Sequence, residues 1–292
     1  MQHSEDIMVS QPSLLPALPG MLAKAVPTVA RNGKVDDALE NIQGHFAVES
    51  IDVDVLRAYK QQFVGLVSEY PLTFFYLIAQ RAHLAMMLDK RFPWPILGMV
   101  HVANKMQWIM PYQAELPLTL KVDIQIPPRA GTRKRVRLLY VVEFLQNDHS
   151  ILRCESTYQV GSGGKSPTNR RLAQEQLDLS AWEQLDIWHL DAASGRRYAR
   201  LSGDYNPIHL HPWLSRWFGF SQPIIHGMYS VARIQADIER HYGKPVQQMD
   251  VMFKRPMALP TEGVSHIHPA TAKLCVSDAQ GEKSYLDGVF HL

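Results

Sequence analysis

An aspartate and a histidine stand five residues apart, on either side of a proline, in the stretch Ser202-Gly203-Asp204-Tyr205-Asn206-Pro207-Ile208-His209. Pro207 fixes its own φ and disfavours helix at Asn206, so the stretch reads as a shaped loop that can aim two polar side chains at one point. A carboxylate and an imidazole converging on one water can take a proton from it and deliver one elsewhere. Asn206 is placed to orient either partner or the loop itself. Downstream, Pro223-Ile224-Ile225-His226-Gly227-Met228 opens a helix. The unhindered N–H of Gly227, backed by the helix dipole, suits negative charge developing on a carbonyl oxygen. The set suits addition of water across a double bond conjugated to a carbonyl.

The elements that must position these groups fall into two halves. The Gly-Ser-Gly-Gly-Lys-Ser-Pro run beginning at Gly161 is the clearest linker, and the polar connection continues to about residue 180. The halves show a weak ordered repeat, in which Phe92-Pro93-Trp94-Pro95-Ile96-Leu97-Gly98-Met99 parallels Phe220-Ser221-Gln222-Pro223-Ile224-Ile225-His226-Gly227-Met228. Each copy is expected to open a buried amphipathic helix, carried by Met99, Val102, Met106 and Ile109 in the first and by Met228, Val231, Ile234 and Ile238 in the second. Small residues at the helix starts, Gly98 and Gly227, would let helix and sheet backbones approach.

Strand periodicity follows at Leu118, Leu120, Val122, Ile124 and Ile126 and again at Val136, Leu138, Tyr140, Val142 and Phe144, with turns at Gly131 and Asn147-Asp148. The second half repeats this order through Met249 to Phe253, Val264 to His268, Ala272 to Val276 and Tyr285 to Phe290, with a turn at Asp278 to Gly281. The pattern is α+β, twice over, and two such sheets can join edge to edge.

The chain has 292 residues, 46% of them hydrophobic, and a formal charge of +2. That supports ample cores and argues against a dedicated nucleic-acid binder. Cys154 and Cys275 lie far apart without CxxC spacing, which favours free thiols in a reducing compartment, the cytoplasm by default. Residues 14–26 are weakly signal-like, but prolines interrupt them and no long apolar run appears, so an N-terminal extension is expected and no membrane association.

The string Tyr198-Ala199-Arg200-Leu201-Ser202-Gly203-Asp204-Tyr205-Asn206-Pro207-Ile208-His209, then Gly219-Phe220, then Pro223-Ile224-Ile225-His226-Gly227-Met228, resembles the MaoC-like, (R)-specific enoyl-CoA hydratase family of hot-dog folds. The likeness covers residues 191–290 well and the first half only in outline. It implies two tandem hot-dog units forming a pseudo-dimer, each a long central helix wrapped by an antiparallel sheet. It also implies that Asp204 and His209 activate the water that adds to a trans-2-enoyl thioester, that Asn206 is the motif asparagine, and that the Gly227 N–H polarises the thioester carbonyl. The expected division is an extension over residues 1–43, a degenerate unit over 44–160, a linker over 161–182 and a catalytic unit over 183–292.

Aligned on its proline, Ser68-Glu69-Tyr70-Pro71-Leu72-Thr73 takes the place of the catalytic loop, with Thr73 where the histidine should stand and eight extra residues before Phe92. That half is not expected to catalyse. By the resemblance it houses the acyl chain, and Phe74-Phe75-Tyr76-Leu77-Ile78 either lines that tunnel or packs the core.

His209 with His211, and His266 with His268, are HxH pairs, but no cysteine or HExxH pattern accompanies them, so no metal and no cofactor are expected. His226 either meets substrate or bonds to backbone. Arg129, Arg133, Lys134, Arg135 and Arg137 read as a solvated strand turn, while Lys254-Arg255 and Arg196-Arg197-Arg200 are candidate contacts for the phosphates of coenzyme A or an acyl carrier protein. The expected reaction interconverts trans-2-enoyl and (R)-3-hydroxyacyl thioesters. The competing functions are a hot-dog thioesterase and a non-catalytic acyl-CoA-binding subunit, and both monomer and homodimer are open.

Overall fold

The computed structural model describes residues 11–33, 40–97, 99–128, 135–160 and 177–292. Gly98, the Gly131 turn, Arg129, Arg133, Lys134 and the Gly161 linker run lie outside the described residues. In chain order the first half contains β1 (Ser13–Leu14), α1 (Leu18–Ala25), β2 (Ile42–Val48), α2 (Val53–Gln62), α3 (Phe75–Met87), β3 (Val100–Trp108), β4 (Leu118–Gln125), β5 (Val136–Gln146) and β6 (His149–Val160). The second contains β7 (Glu183–Leu190), α4 (Ser194–Ser202), α5 (Pro212–Trp217), α6 (Gly227–Tyr242), β8 (Gln248–Phe253), β9 (Thr261–His268), β10 (Lys273–Ser277) and β11 (Ser284–His291).

One eleven-stranded sheet runs in the order β1-β2-β4-β5-β6-β3-β8-β11-β10-β9-β7. Read outward from its middle, β3-β6-β5-β4-β2 matches β8-β11-β10-β9-β7, so each half builds the same five-stranded sheet and the two join edge to edge. The joint is the antiparallel pairing of β3 with β8, with Met106 opposite Met249 and Asn104 opposite Val251. Covering both edges this way removes two pairing-competent strands from solvent. Each sheet wraps one buried helix, α3 in the first half and α6 in the second. Phe75, Ala79 and Ala82 of α3 and Ile234, Ala236 and Ile238 of α6 are fully buried. Burying a side chain of the size of Phe or Ile stabilises the fold by about 1.5–3 kcal/mol. Among the described residues no helix is long and apolar enough to cross a membrane.

The two helices also meet through polar groups. Gln235 Oε1 on α6 accepts from the N–H and hydroxyl of Thr73 at 3.0 and 2.6 Å. The buried Glu239 carboxylate accepts from the N–H groups of Val67 and Ser68 at 2.8 and 2.9 Å and from Val246 N–H at 3.1 Å. A carboxylate surrounded by donors keeps buried polar groups satisfied, and it fixes where the entry to α3 sits against α6.

Two expectations are corrected. The segment carrying Met99, Val102, Met106 and Ile109 is not a helix; it is the central strand β3. A bulge between His101 and Ala103 inserts one residue into the ladder, and Ile109 lies past the strand end, so the apolar residues fall at helix-like spacing. The buried helix of the first half is α3, which contains the Phe75-Tyr76-Leu77-Ile78 run, and Phe74 to Leu77 belong to the core. Consequently Pro71 does not correspond to the catalytic-loop proline. It leads into α3 as Pro223 leads into α6, and Thr73 is a seam residue that also accepts from the Tyr59 hydroxyl at 2.9 Å. The extra length of the first half lies after its helix, in residues 88–99, where the second half needs only 243–247.

The N-terminal segment clasps the first half. β1 lies parallel to β2 at the sheet edge. Arg81 of α3 donates to the Pro16 carbonyl at 2.8 Å, and Arg31 donates to the carbonyls of Met87 and Asp89 at 2.6 and 3.1 Å, satisfying the C-terminal end of α3.

Candidate active site

The loop carrying the acid/base pair is held at both ends. α4 ends at Gly203, which adopts the left-handed conformation (φ 73°) and returns its N–H to the Ala199 carbonyl at 2.8 Å, a conformation that costs glycine little. The Ser202 hydroxyl donates to the Tyr198 carbonyl at 2.8 Å and accepts the Asp204 N–H at 3.2 Å. Asp204 Oδ1 accepts the Asn206 N–H at 3.1 Å, and Asn206 Oδ1 in turn faces the Ile208 N–H at the start of a 3-10 turn over Pro207–His209. Asn206 thus shapes the loop, and Asp204 both anchors it and presents its remaining oxygen. Gly195 of α4 packs against the His209 carbonyl so closely that a Cβ there would overlap it.

His209 is buried and fixed by a bond from Nδ1 to the Ile224 carbonyl at 2.8 Å. With the proton on Nδ1, its Nε2 carries a lone pair. Ile224 is itself clamped, its N–H on the Ile208 carbonyl at 3.1 Å, while Ile225 N–H reaches the Met257 carbonyl at 2.9 Å. His226 donates from Nε2 to the Asp204 main-chain carbonyl at 2.9 Å, so this ring bonds backbone. Its ring stacks on His209 with centroids 3.6 Å apart, and Tyr198 packs edge-on from the other side. Gly227 follows as the first residue of α6, where its N–H has no intrahelical acceptor. Phe253 fills the space beside Gly227, its Cε1 2.7 Å from where a Cβ would stand.

Burial favours the neutral form of Asp204, but the adjacent His226 and His209 rings, the Asn206 N–H and the nearby Gln80 amide outweigh it and hold the carboxyl below its usual range. Burial pushes His209 below an ordinary imidazole, partly opposed by Asp204, and pushes His226 down to about 3. The resting pair at neutral pH is therefore a carboxylate and a neutral imidazole, two proton acceptors facing one place. Asp204, His209 and His226 offer ligand atoms within 4.8 Å of one another. The two imidazoles are only 25° from parallel, so their free nitrogens lie in stacked planes and do not converge on a single ion.

A family described as MaoC like domain matches residues 169–265. A Mycobacterium tuberculosis protein described as having a double hotdog fold superposes over 89% of this chain and 95% of its own, with a TM-score of 0.55 and 11% identity. Residues 169–265 are thus similar to the MaoC-like family, and the chain has the double hot-dog fold. Its curated relatives include 3-hydroxyacyl-thioester dehydratase X of M. tuberculosis, 24% identical over 94% of this chain and 92% of that one. The solved structure of that relative matches with a TM-score of 0.67 at 20% identity, covering 84% of this chain and 98% of that one. A peroxisomal hydratase-dehydrogenase-epimerase of Saccharomyces cerevisiae is 39% identical over 54 residues, 18% of this chain and 6% of that one.

The MaoC-like residues named from the sequence thus gather around one point: Asp204 and His209 converge, Asn206 braces their loop, and Gly227 opens the adjoining helix. The site also draws on residues the motif does not contain. Gln80 of α3 helps hold the Asp204 carboxyl low, and Tyr76, His101 and Tyr158 of the first half lie near enough to feel its charge. A sequence signal existed for part of this, since Tyr76, Gln80 and His83 recur at i, i+4 and i+7 on a helix whose one other polar residue is Arg81. Leu18 of α1 rests against Gly203, so the N-terminal segment touches the loop as well. Of the basic candidates, Lys254 pairs with Asp287 at 3.3 Å, Arg255 donates to the Ser284 carbonyl at 3.2 Å, and Arg196 donates to the Leu210 carbonyl at 3.0 Å. His266 bonds the Ser277 hydroxyl at 3.0 Å.

Proposed function

We propose that the chain is an acyl-thioester hydratase/dehydratase, a hydro-lyase that interconverts trans-2-enoyl and (R)-3-hydroxyacyl thioesters carried by coenzyme A or an acyl carrier protein. The observation that carries the reading is the meeting of an ionised Asp204 and a neutral His209 beside the free N–H of Gly227. Water held between the two acceptors loses a proton to one of them as its oxygen attacks the β carbon. The electron pair of the double bond moves toward the thioester carbonyl, whose developing negative charge meets the Gly227 N–H at the helix terminus. The proton then returns to the α carbon, so that one water is consumed and no other reactant is required.

In this reading residues 183–292 form the catalytic unit, 44–160 a unit without the acid/base loop, 161–182 the linker and 1–43 the extension. Because the two units already pair within one chain, a monomer is self-sufficient. Cys154 and Cys275 are free and buried, as suits a reducing compartment such as the cytoplasm. The test is product analysis with crotonyl-CoA: loss of enoyl absorbance with the thioester intact and (R)-3-hydroxybutyryl-CoA formed supports the reading. Release of free thiol with the double bond intact would make the protein a thioesterase instead.

A further inference from the structure

The first half's sheet turns an unusual surface toward α3. Two neighbouring cross-strand rows there are rich in polar groups: Leu138, Tyr158 and His101 form one, and Tyr140, Ser156 and Asn104 the next. The row beyond, Val142, Cys154 and Met106, is apolar in the ordinary way. Rows at the matching strands of the second half, Val276-Leu286-Phe253 and Leu274-Gly288-Val251, contain no polar side chain. The polarity is therefore a property of this sequence and not a demand of the fold.

Several of these groups are buried without a hydrogen-bond partner: both ring nitrogens of His83 on α3, His101 Nε2, Asn104 Oδ1 and the Tyr140 hydroxyl. His83 and Tyr140 have no exposed surface, and their rings meet at 5.1 Å. Tyr76 and Tyr158 share a hydroxyl–hydroxyl bond of 2.7 Å, and His101 stacks on Tyr158 at 4.5 Å. Orphaned polar atoms destabilise a core, and phenylalanine or leucine would fill the same volume without that cost.

This face begins at the reaction centre. Tyr76, His101 and Tyr158 feel the Asp204 charge, Gln80 of α3 helps hold the Asp204 carboxyl low, and Phe253 bridges Gly227 to the His101 ring, 5.0 Å away. We propose that the polar face receives the distal part of the acyl group, and that this acyl group carries a neutral oxygen, a hydroxyl or a carbonyl, bonded by His83, His101, Asn104 and Tyr140. The proposal rests on the hydratase reading for the direction of the thioester. Burial drives the His83 and His101 imidazoles down to about 3, so both are uncharged at neutral pH and supply donors and acceptors without a cation. With Asp204 close by, that suits a hydroxyl or oxo group and not a carboxylate.

The experiment measures affinity by calorimetry for saturated thioesters, which cannot be hydrated: hexanoyl-CoA against hexanoyl-CoA bearing a hydroxyl or oxo group at C4, C5 or C6. At least one oxygenated ligand should bind about ten-fold tighter than hexanoyl-CoA, the yield of roughly one neutral hydrogen bond in a buried site. In Tyr140→Phe and in Asn104→Leu the ratio of the two affinities should fall toward one. A wild-type ratio of one or less for all positions overturns the proposal, and so does a ratio that both substitutions leave intact. Crotonyl-CoA assayed in parallel separates the two readings: a retained affinity ratio without hydration rejects the hydratase and leaves the polar face standing, and hydration with a ratio of one does the reverse.

Discussion

Gly195 sits on α4, outside the motif, yet its lack of a side chain sets where His209 lies. A Cβ at this position would overlap the His209 carbonyl oxygen and stand 3.4 Å from its carbon and from Leu259 Cδ1. Backbone is the obstacle, so no rotamer change relieves it; either α4 or the Pro207–His209 turn must move. Alanine's better helix propensity returns about 1 kcal/mol, against about 1–3 kcal/mol for overpacking, so Gly195→Ala should fold with a net loss of at most about 2 kcal/mol and a melting temperature lowered by a few degrees. The functional effect should be larger. The His209 ring is aimed by its bond to Ile224, and a displacement of about 1 Å at a reacting group costs about 10²-fold in rate. The assay is the decay of enoyl absorbance with crotonyl-CoA. The control is Gly20→Ala, where nothing lies within 4 Å of the new Cβ; it should keep full activity and gain about 0.4–1 kcal/mol of stability. If Gly195→Ala shows wild-type kcat/KM and melting temperature, α4 is not the wall against which the catalytic turn is set.

Other consequences follow from the seam and from the buried imidazoles. Glu239→Ala leaves the donors of Val67, Ser68 and Val246 unanswered in a buried site, so urea denaturation should show a loss of about 3–5 kcal/mol; a loss under about 1 kcal/mol would mean the carboxylate does not tie the halves together. His83, His101 and His226 are each held down to about 3 by burial. Below the ordinary imidazole value of about 6.5 the unfolded chain binds protons that the folded protein refuses, so stability is complete above that pH and falls as pH drops, by up to about 1.4 kcal/mol per pH unit for each ring. Equal denaturation midpoints at pH 7.5 and pH 5 would contradict this. Asp204 and His209 both sit below their ordinary values and both face the water unprotonated, so the acid limb of kcat/KM should be centred below pH 6.5; a midpoint above it would show that the required base is held above an ordinary imidazole, against this reading of the site.

The second half was readable because local rules and tertiary demands agree there. Met228, Val231, Ile234 and Ile238 keep helical period on a helix with one buried side, and Pro207 and Gly203 fix the loop through φ values that no distant contact has to impose. The first half misled where tertiary pairing overrode local pattern. β3 is flanked by β6 and β8 with both faces partly covered, so it lacks clean alternation, and its bulge produces the helix-like spacing of Met99 and Val102. The same helix-like spacing shifts the internal repeat, placing Pro71 on the catalytic loop when it belongs at the entry to α3. Gln80 and His101 were invisible for another reason: they reach the site from the partner half, and only the β3–β8 joint brings them there. The extension carries no periodic signal, since its ties are arginine–carbonyl bonds: Arg31 reaches the carbonyls of Met87 and Asp89 at the end of α3, and Arg81 of α3 reaches those of Leu15 and Pro16.

The most direct test of the account is the hydration rate of crotonyl-CoA by the wild-type protein and by Asp204→Asn, with the fold of the variant checked by circular dichroism. Asparagine keeps the shape and still accepts the Asn206 N–H, but it cannot take a proton. The account predicts an intact fold and a fall in kcat/KM of about 10²–10⁴-fold. A folded variant hydrating the thioester at the wild-type rate would contradict it.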